Sequence, residues 1–313
     1  MTDPSPLLDR PGAVEADPPD TGVAAHYGSI VHEQRALLAG AAVDLSHRDV
    51  FTISGPDRLT WLHALSTQHL ESLAPGVPTE VLMLSPQGRI EHGFSGYDDP
   101  STGDGTFWAH TEPGASATLI EFLERMKFMS RVEIAPVTDR VVIGRISDGD
   151  LAYDLIDRDD LASLADVVGI WAWEALRIEA GLPRIGFDTD DRTIPNEIGL
   201  LGRAVHMDKG CYRGQETVAR VHTLGRPPRR LVRLLLDGSA EHLPAHGTPV
   251  MDGEKQVGFV GSVARHHELG PVALALVKRS VDPAAQLLVD GVAAAQELIV
   301  DPEVGLHVRP VLR

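Results

Sequence analysis

"MDKGCYRGQETVAR", residues 207–220, contains the only cysteine of the chain, Cys211, with Lys209 and Arg213 two positions away on either side. Gly210 and Gly214 frame it. "GQETVARVH" continues as a helix: Val218 and Val221 are three apart, and Glu216 lies in the first turn, where a carboxylate suits the helix dipole. Gly225 and Pro227 end that helix. A thiol just ahead of a helix N-terminus and close to two cations has a setting that favours the thiolate. The other role open to a free cysteine is that of a small buried hydrophobe.

Outward from this stretch, the texture changes after "GRPPRR". Residues 231–313 offer short runs, "RLVRLLLD", "QVGFVGSVAR", "VALALVK" and "AAQELIV", split by Gly and Pro and without a long helix, as in a small antiparallel barrel or sandwich. The break near residues 225–230 is the expected domain boundary. Toward the N-terminus the pattern mixes helices and strands. Residues 50–53 alternate like a strand, "SGPD" is a turn, and 57–66 read as a helix. "TEVLMLSPQGRIEHGFSGYDD" gives two strands around Pro86-Gln87-Gly88, "GTFWAHT" another, and "GASATLIEFLERMKFM" an amphipathic helix. "RVVIGRIS" is a strand, and "ADVVGIWAWEALRIEAGL" ends in a helix stopped by Gly181 and Pro183. Residues 1–25, rich in Pro and Asp, are expected to form a disordered tail.

With 313 residues the chain is long enough for two or three domains. Aromatic residues make up only 5%, so Ala, Val and Leu must fill most of the interior. A formal net charge of −17 repels nucleic acid and anionic membranes unless positive charge is concentrated locally. One cysteine allows no intrachain disulfide, which suits a reducing cytoplasm. The N-terminus lacks the basic and apolar regions of a secretory signal, and no apolar run approaches the roughly 18 residues that span a bilayer. The expectation is a soluble cytoplasmic protein.

On a helix from Trp171 to Leu182, the residues Trp171, Ala172, Ala175, Leu176, Ile178 and Leu182 share one arc, with Glu174 and Arg177 opposite. Glu179 falls inside the apolar arc. A carboxylate buried there needs a partner: an arginine, backbone amides, or a ligand offering two parallel N–H donors. "ARVHTLGRPPRRLVR" carries Arg220, Arg226, Arg229, Arg230 and Arg233 without an acid, and reads either as a solvated loop or as a dock for phosphates or a polycarboxylate tail. Nucleotide-binding glycine loops are absent, "GFSGY" misses G-x-S-x-G, and the 14 histidines contain no H-E-x-x-H. "RHHELG" (265–270) reads as a turn. A single thiol cannot cage a metal within one chain, so no metal site is expected.

"KGCYRGQE" (209–216) resembles, at all eight positions, the K-G-C-[FY]-x-G-Q-E signature of the YgfZ group of folate-binding proteins, relatives of the glycine-cleavage aminomethyltransferase (T-protein, GcvT). "VDLSHRDVFTISGPDRLTWLHALSTQHLESLAPG", "LRIEAGLPRIGFD" and "TIPNEIGL" extend the likeness over residues 40 to about 230. The resemblance implies an α+β fold: a three-domain cloverleaf around a central folate pocket. After the tail, residues 26–140 and 141–228 would form two interleaved α+β domains, the first discontinuous, and 229–313 a C-terminal antiparallel β-barrel. It also implies that Glu179 grips the pterin edge, whose 2-amino and N3–H groups a carboxylate can accept together. Tyr212, Gln215, Glu216 and Arg226 join it as expected tetrahydrofolate-site residues. Where the aminomethyltransferases carry an aspartate that assists transfer, "QGRIEHGF" has Glu91-His92, a longer carboxylate that would not replace it cleanly.

The expected function is that of a tetrahydrofolate-binding accessory protein for iron–sulfur cluster assembly or repair, notably under oxidative stress. Cys211 would be its working thiol, Lys209 and Arg213 would favour the thiolate, and the partners would be folate and iron–sulfur client proteins rather than nucleic acid or membrane. Two other readings stand beside it: a tetrahydrofolate-dependent one-carbon transferase, and a non-enzymatic scaffold for an iron–sulfur or tRNA-modifying client.

Overall fold

Short strand-forming runs punctuated by Gly and Pro dominate the chain, and helices form where apolar residues recur at helical spacing. The computed structural model describes residues 4–238 and 242–305. Residues 1–3 of the expected tail and 239–241 and 306–313 of the expected barrel lie outside the described residues. In chain order the elements are β1 (Val14–Glu15), β2 (Ala24–His26), α1 (Ile30–Leu38), β3 (Ala42–Asp44), β4 (Asp49–Ser54), α2 (Arg58–Leu65), β5 (Thr79–Leu84) and β6 (Ile90–Asp99). β7 (Thr106–Thr111), α3 (Ser116–Met126), β8 (Glu133–Val137), β9 (Arg140–Ser147), β10 (Asp150–Asp157), β11 (Val167–Val168), α4 (Ile170–Glu179) and α5 (Gln215–Leu224) follow. The chain then runs through β12 (Arg229–Leu236), β13 (Pro249–Asp252), β14 (Lys255–His266), β15 (Gly270–Lys278), β16 (Leu287–Val289) and β17 (Val292–Leu298).

The chain forms two compact units, each gathered from three segments. Unit 1 comprises Met1–His63, Leu70–Glu80 and Phe94–Leu176. Unit 2 comprises Ala64–His69, Val81–Gly93 and Arg177–Arg313. In unit 1 a four-stranded sheet of order β10-β9-β3-β11 covers a core of Leu37, Val43, Leu45, Val142, Ile170, Trp173 and Leu176. A five-stranded sheet has the order β5-β6-β7-β4-β8.

Residues 4–25 correct the expectation of a disordered tail. Pro6–Asp9 form a 3-10 turn capped by Ser5, whose hydroxyl accepts from the Leu7 N–H. Leu7 is buried with Val141, Ile143 and Leu161, and the Arg10 guanidinium donates to the carbonyls of Ala162 and Ala165. With Ala16, Val23 and Ala25 in the unit 1 core and β1 paired to β2, these contacts tie down a segment whose average composition is that of a loose chain.

In unit 2, β12-β15-β14-β13-β16-β17 close into an antiparallel barrel. Its interior follows the period of two: Val232, Leu234 and Leu236 from β12, and Ala273, Ala275 and Val277 from β15, meet Val250, Val260, Leu287 and Val289. Leu274 and Leu276, pointing the other way from β15, are buried as well, so this strand is apolar on both faces.

Candidate functional site

The segment 64–69, entered from the end of α2, is the bed on which the residues before α5 rest. The Thr67 hydroxyl donates to Ala204 O at 2.6 Å, Gln68 Nε2 to Arg203 O at 2.8 Å, and the His206 N–H to Thr67 O at 3.0 Å. Lys209 then turns inward. Its side chain is buried and its ammonium donates to Ser66 O at 2.7 Å and Gln68 O at 3.3 Å, beneath the ring of Tyr212 5.7 Å away. Burial of Tyr212 pushes its hydroxyl up to about 12, so it stays a neutral donor.

On the other flank of Cys211 the loop locks onto the turn between β5 and β6. Gly214, at φ +82°, lies so close that a Cβ there would meet Ser85 O at 2.4 Å and Gly88 Cα at 2.8 Å. Glycine adopts that conformation without strain, and it alone leaves that space. Arg213 pairs with Glu91 at 2.8 Å, both partly exposed. The Gln215 N–H donates to Tyr212 O at 3.2 Å to open α5, with Glu216 exposed in its first turn. Between these anchors Cys211 is exposed. Both cations that the sequence places beside the sulfur thus have oxygen partners of their own, and Lys209 points away into the protein.

α4 corrects the reading of its faces. Glu179 does not lie buried in an apolar arc: its side chain is 46% exposed, Trp171 is exposed too, and Glu174 and Arg177 are the buried charges. The cause is that residues on opposite sides of the helix are buried. Its first turns give Ile170, Ala172, Trp173 and Leu176 to the unit 1 core. Its last turn gives Arg177 to a polar network in unit 2. There Arg177 bonds Asp188 at 3.1 Å, and Asp188 also accepts from the N–H groups of Arg184 (2.8 Å) and Ser262 (2.6 Å). A helix buried on several sides has no single apolar arc to read. Glu179 itself bonds His266 Nε2 through Oε2 at 3.1 Å, and its carbonyl accepts from Arg233.

The arginine stretch also differs from its reading as one patch. Arg229 is paired with Asp190 (2.7 Å) and Glu197 (2.9 Å). Arg230 is fully buried and donates to the carbonyls of Arg279 and Val281. Arg233 pairs with Glu297. Arg230 and Arg233 bond within the barrel and Arg229 ties β12 to residues 190–197, leaving Arg220 and Arg226 exposed. Arg226 follows α5, about 15 Å along the helix from Gln215. The structure thus brings Lys209 and Arg213 to Gln68 and Glu91 in one loop assembly, while Glu179's polar partners lie on the barrel and Arg226 sits at the far end of α5. Sequence reading missed Asp188, although it closes the quoted "LRIEAGLPRIGFD", and missed His266 within "RHHELG". The signal for His266 was a histidine at a hairpin, which carries nothing without its partner. Among the described residues no group of three or more His, Cys, Asp or Glu is placed to hold a metal, and no helix is long and apolar enough to cross a membrane.

Residues 229–302 match the glycine cleavage T-protein C-terminal barrel domain. An aminomethyltransferase of a Nostoc species is 26% identical over 317 residues, covering 84% of this chain and 83% of that protein. The tRNA-modifying protein YgfZ of Shigella dysenteriae is 26% identical over 239 residues, covering 63% and 71%. The crystal structure of the glycine cleavage system aminomethyltransferase T from Bartonella henselae superposes with a TM-score of 0.77 over 96% of this chain and 97% of that one, at 17% identity. The α+β fold ending in a closed barrel is common to both.

Proposed function

Since this chain is of the YgfZ and aminomethyltransferase type, we propose that it is a tetrahydrofolate-binding accessory protein for iron–sulfur cluster assembly or repair, acting through Cys211. Folate association is common to that type. The observation that carries the reading is an exposed thiol on a loop held from both sides. Lys209 fixes one flank to the carbonyls of residues 66 and 68, and Gly214 and Arg213 fix the other to the β5–β6 turn and to Glu91. A sulfur held in one place in water is suited to meet a client's metal or sulfur. One thiolate cannot hold a cluster alone, so the client supplies the remaining ligands.

The residues fit a folate. Glu179 presents a carboxylate whose Oε1 has no protein partner among the described residues, as an edge with two N–H donors requires. Exposed Arg226 would attract the glutamate tail, while Tyr212, Gln215 and Glu216 shape the loop around Cys211. The transferase reading is disfavoured by one contact. Glu91, on the strand where the resemblance puts the transferases' aspartate, is ion-paired with Arg213 and so is a poor group to assist transfer.

The test is Cys211→Ser in a strain deleted for the protein. Loss of activity of its iron–sulfur enzymes under oxidant, with folate affinity unchanged by calorimetry, is the expected result. Full complementation by the serine variant would end the thiol reading.

A further inference from the structure

We infer that His266 is the positioning residue that presents the Glu179 carboxylate as a double acceptor to a planar ring edge bearing two N–H donors, an inference that rests on the folate reading above. Glu179 is the last residue of α4, where the helix dipole disfavours a negative charge. Nothing on α4 holds its carboxylate; the barrel does. His266 ends β14, and the hairpin that follows folds over its ring, so that Nδ1 accepts from the N–H groups of Glu268 (3.2 Å) and Leu269 (3.1 Å). A nitrogen that accepts two N–H bonds carries no proton, so the proton of the neutral ring is on Nε2. Nε2 is the atom 3.1 Å from Glu179 Oε2 and therefore donates to it.

Burial lowers the His266 pKa, the nearby Glu179 charge opposing it, which keeps the ring a neutral donor at physiological pH. The His266 side chain is fully buried, whereas half of the Glu179 side chain is in solvent. The main chain is held as well: the Glu179 carbonyl accepts from Arg233, which pairs with Glu297 on β17. A long, flexible acid is thereby fixed at both ends by a rigid barrel before any ligand arrives. A donor on Oε2 requires that oxygen to be unprotonated and leaves Oε1, with the second lone pair of Oε2, facing outward as two parallel acceptors. That arrangement selects a 2-amino-4-oxopyrimidine edge and rejects one that offers an acceptor in place of either N–H.

Three measurements on the full chain test this, with air-stable 5-formyltetrahydrofolate as the probe in calorimetry. His266→Phe should weaken binding about tenfold, and His266→Gln, whose amide can still donate, should stay within about threefold of the parent. His266→Phe in a Glu179→Ala background should have no further effect. Equal losses in both backgrounds, or no loss at all where Glu179→Ala alone weakens binding, would overturn the role of His266 and leave the folate reading intact. An unchanged affinity in Glu179→Ala would instead remove the folate placement and this inference with it. The third measurement needs no variant: nitrogen NMR of the unmodified protein should show the proton of His266 on Nε2, and a proton on Nδ1 would overturn the inference even if the substituted chains failed to fold.

Discussion

Replacing Gly214 by alanine isolates the reason for the second glycine of the loop. The residue sits at φ +82°, which costs an L residue about 1–2 kcal/mol. The new Cβ would stand 2.4 Å from Ser85 O, 2.8 Å from Gly88 Cα and 2.9 Å from Gly88 N. All three are backbone atoms of a turn that is itself closed by the Gly88 N–H donating to Ser85 O at 2.9 Å. No side chain can swing aside, so the turn must move, at about 1–3 kcal/mol for overpacking. The restricted unfolded chain offsets about 0.4–1 kcal/mol. The net expectation is about 3 kcal/mol, a large share of the stability of an ordinary domain. Gly210→Ala is the internal control, one residue before Cys211, with no atom within 4 Å of its Cβ. It should stay within about 0.5 kcal/mol of the parent. Urea denaturation followed by tryptophan fluorescence gives both values. The rate of Cys211 modification by an aromatic disulfide should change in the Gly214 variant and not in the Gly210 variant. Coincident urea midpoints for the two variants would refute the interlock as the reason for Gly214.

Lys209→Met removes the ammonium that Ser66 O and Gln68 O share and should destabilise by about 2–3 kcal/mol, read by thermal melting; a change below about 0.5 kcal/mol would show that the lysine is not an anchor. Arg229→Met strands the fully buried Glu197 carboxylate and should cost about 3–5 kcal/mol. Burial alone would raise the pKa of Asp190, but hydrogen bonds from Arg229 and Thr193, the Arg229 charge and the Arg192 N–H hold it down to about 2 against an ordinary 3.8. Its contribution is present above pH 3.8 and is lost as pH falls toward 2; the gap corresponds to about 2.4 kcal/mol, which solvent screening of a one-third exposed group reduces to about 1. Acid titration of stability should therefore be shallower in that window for Asp190→Asn, and an identical slope would contradict the assignment. Arg226→Gln should lower the preference for polyglutamylated over monoglutamylated folate at low salt, and equal affinities in the parent protein would remove that role for the arginine.

The barrel was legible because its longer strands are short β-forming runs split by Gly and Pro, and the runs at 230–237, 256–265, 272–278 and 294–300 overlap strands β12, β14, β15 and β17. The two strands without a matching run, β13 and β16, have four and three residues, too few to display a period. The tail was misjudged because disorder was inferred from a sum over 25 residues, whereas order there is set by particular ones: Leu7, Ala16, Val23 and Ala25 enter the core, Arg10 holds distant carbonyls, and β1 pairs with β2. The faces of α4 were misread for a different reason. A periodicity argument assumes that a helix buries one side, whereas Glu174 and Arg177, opposite the apolar residues of this helix, are buried as well.

The loop around Cys211 shows a related limit of sequence distance. Lys209 is two residues from the cysteine, yet its ammonium is fixed on carbonyl oxygens of residues 66 and 68, more than 140 positions earlier in the chain. Arg213, two residues on, is bound to Glu91. Nearness in sequence places the Cα atoms; where a long side chain delivers its charge depends on which acceptors the fold offers. In this loop the buried carbonyls offer more than an exposed sulfur does, since an ammonium out of water needs oxygen partners and a thiol in water needs none. The same logic accounts for three residues of the motif that presents it. Lys209, Arg213 and Gly214 each remove a freedom of the loop, two through distant oxygens and one through a missing Cβ, and what is left unrestrained by any partner of this kind is the residue that faces solvent, Cys211.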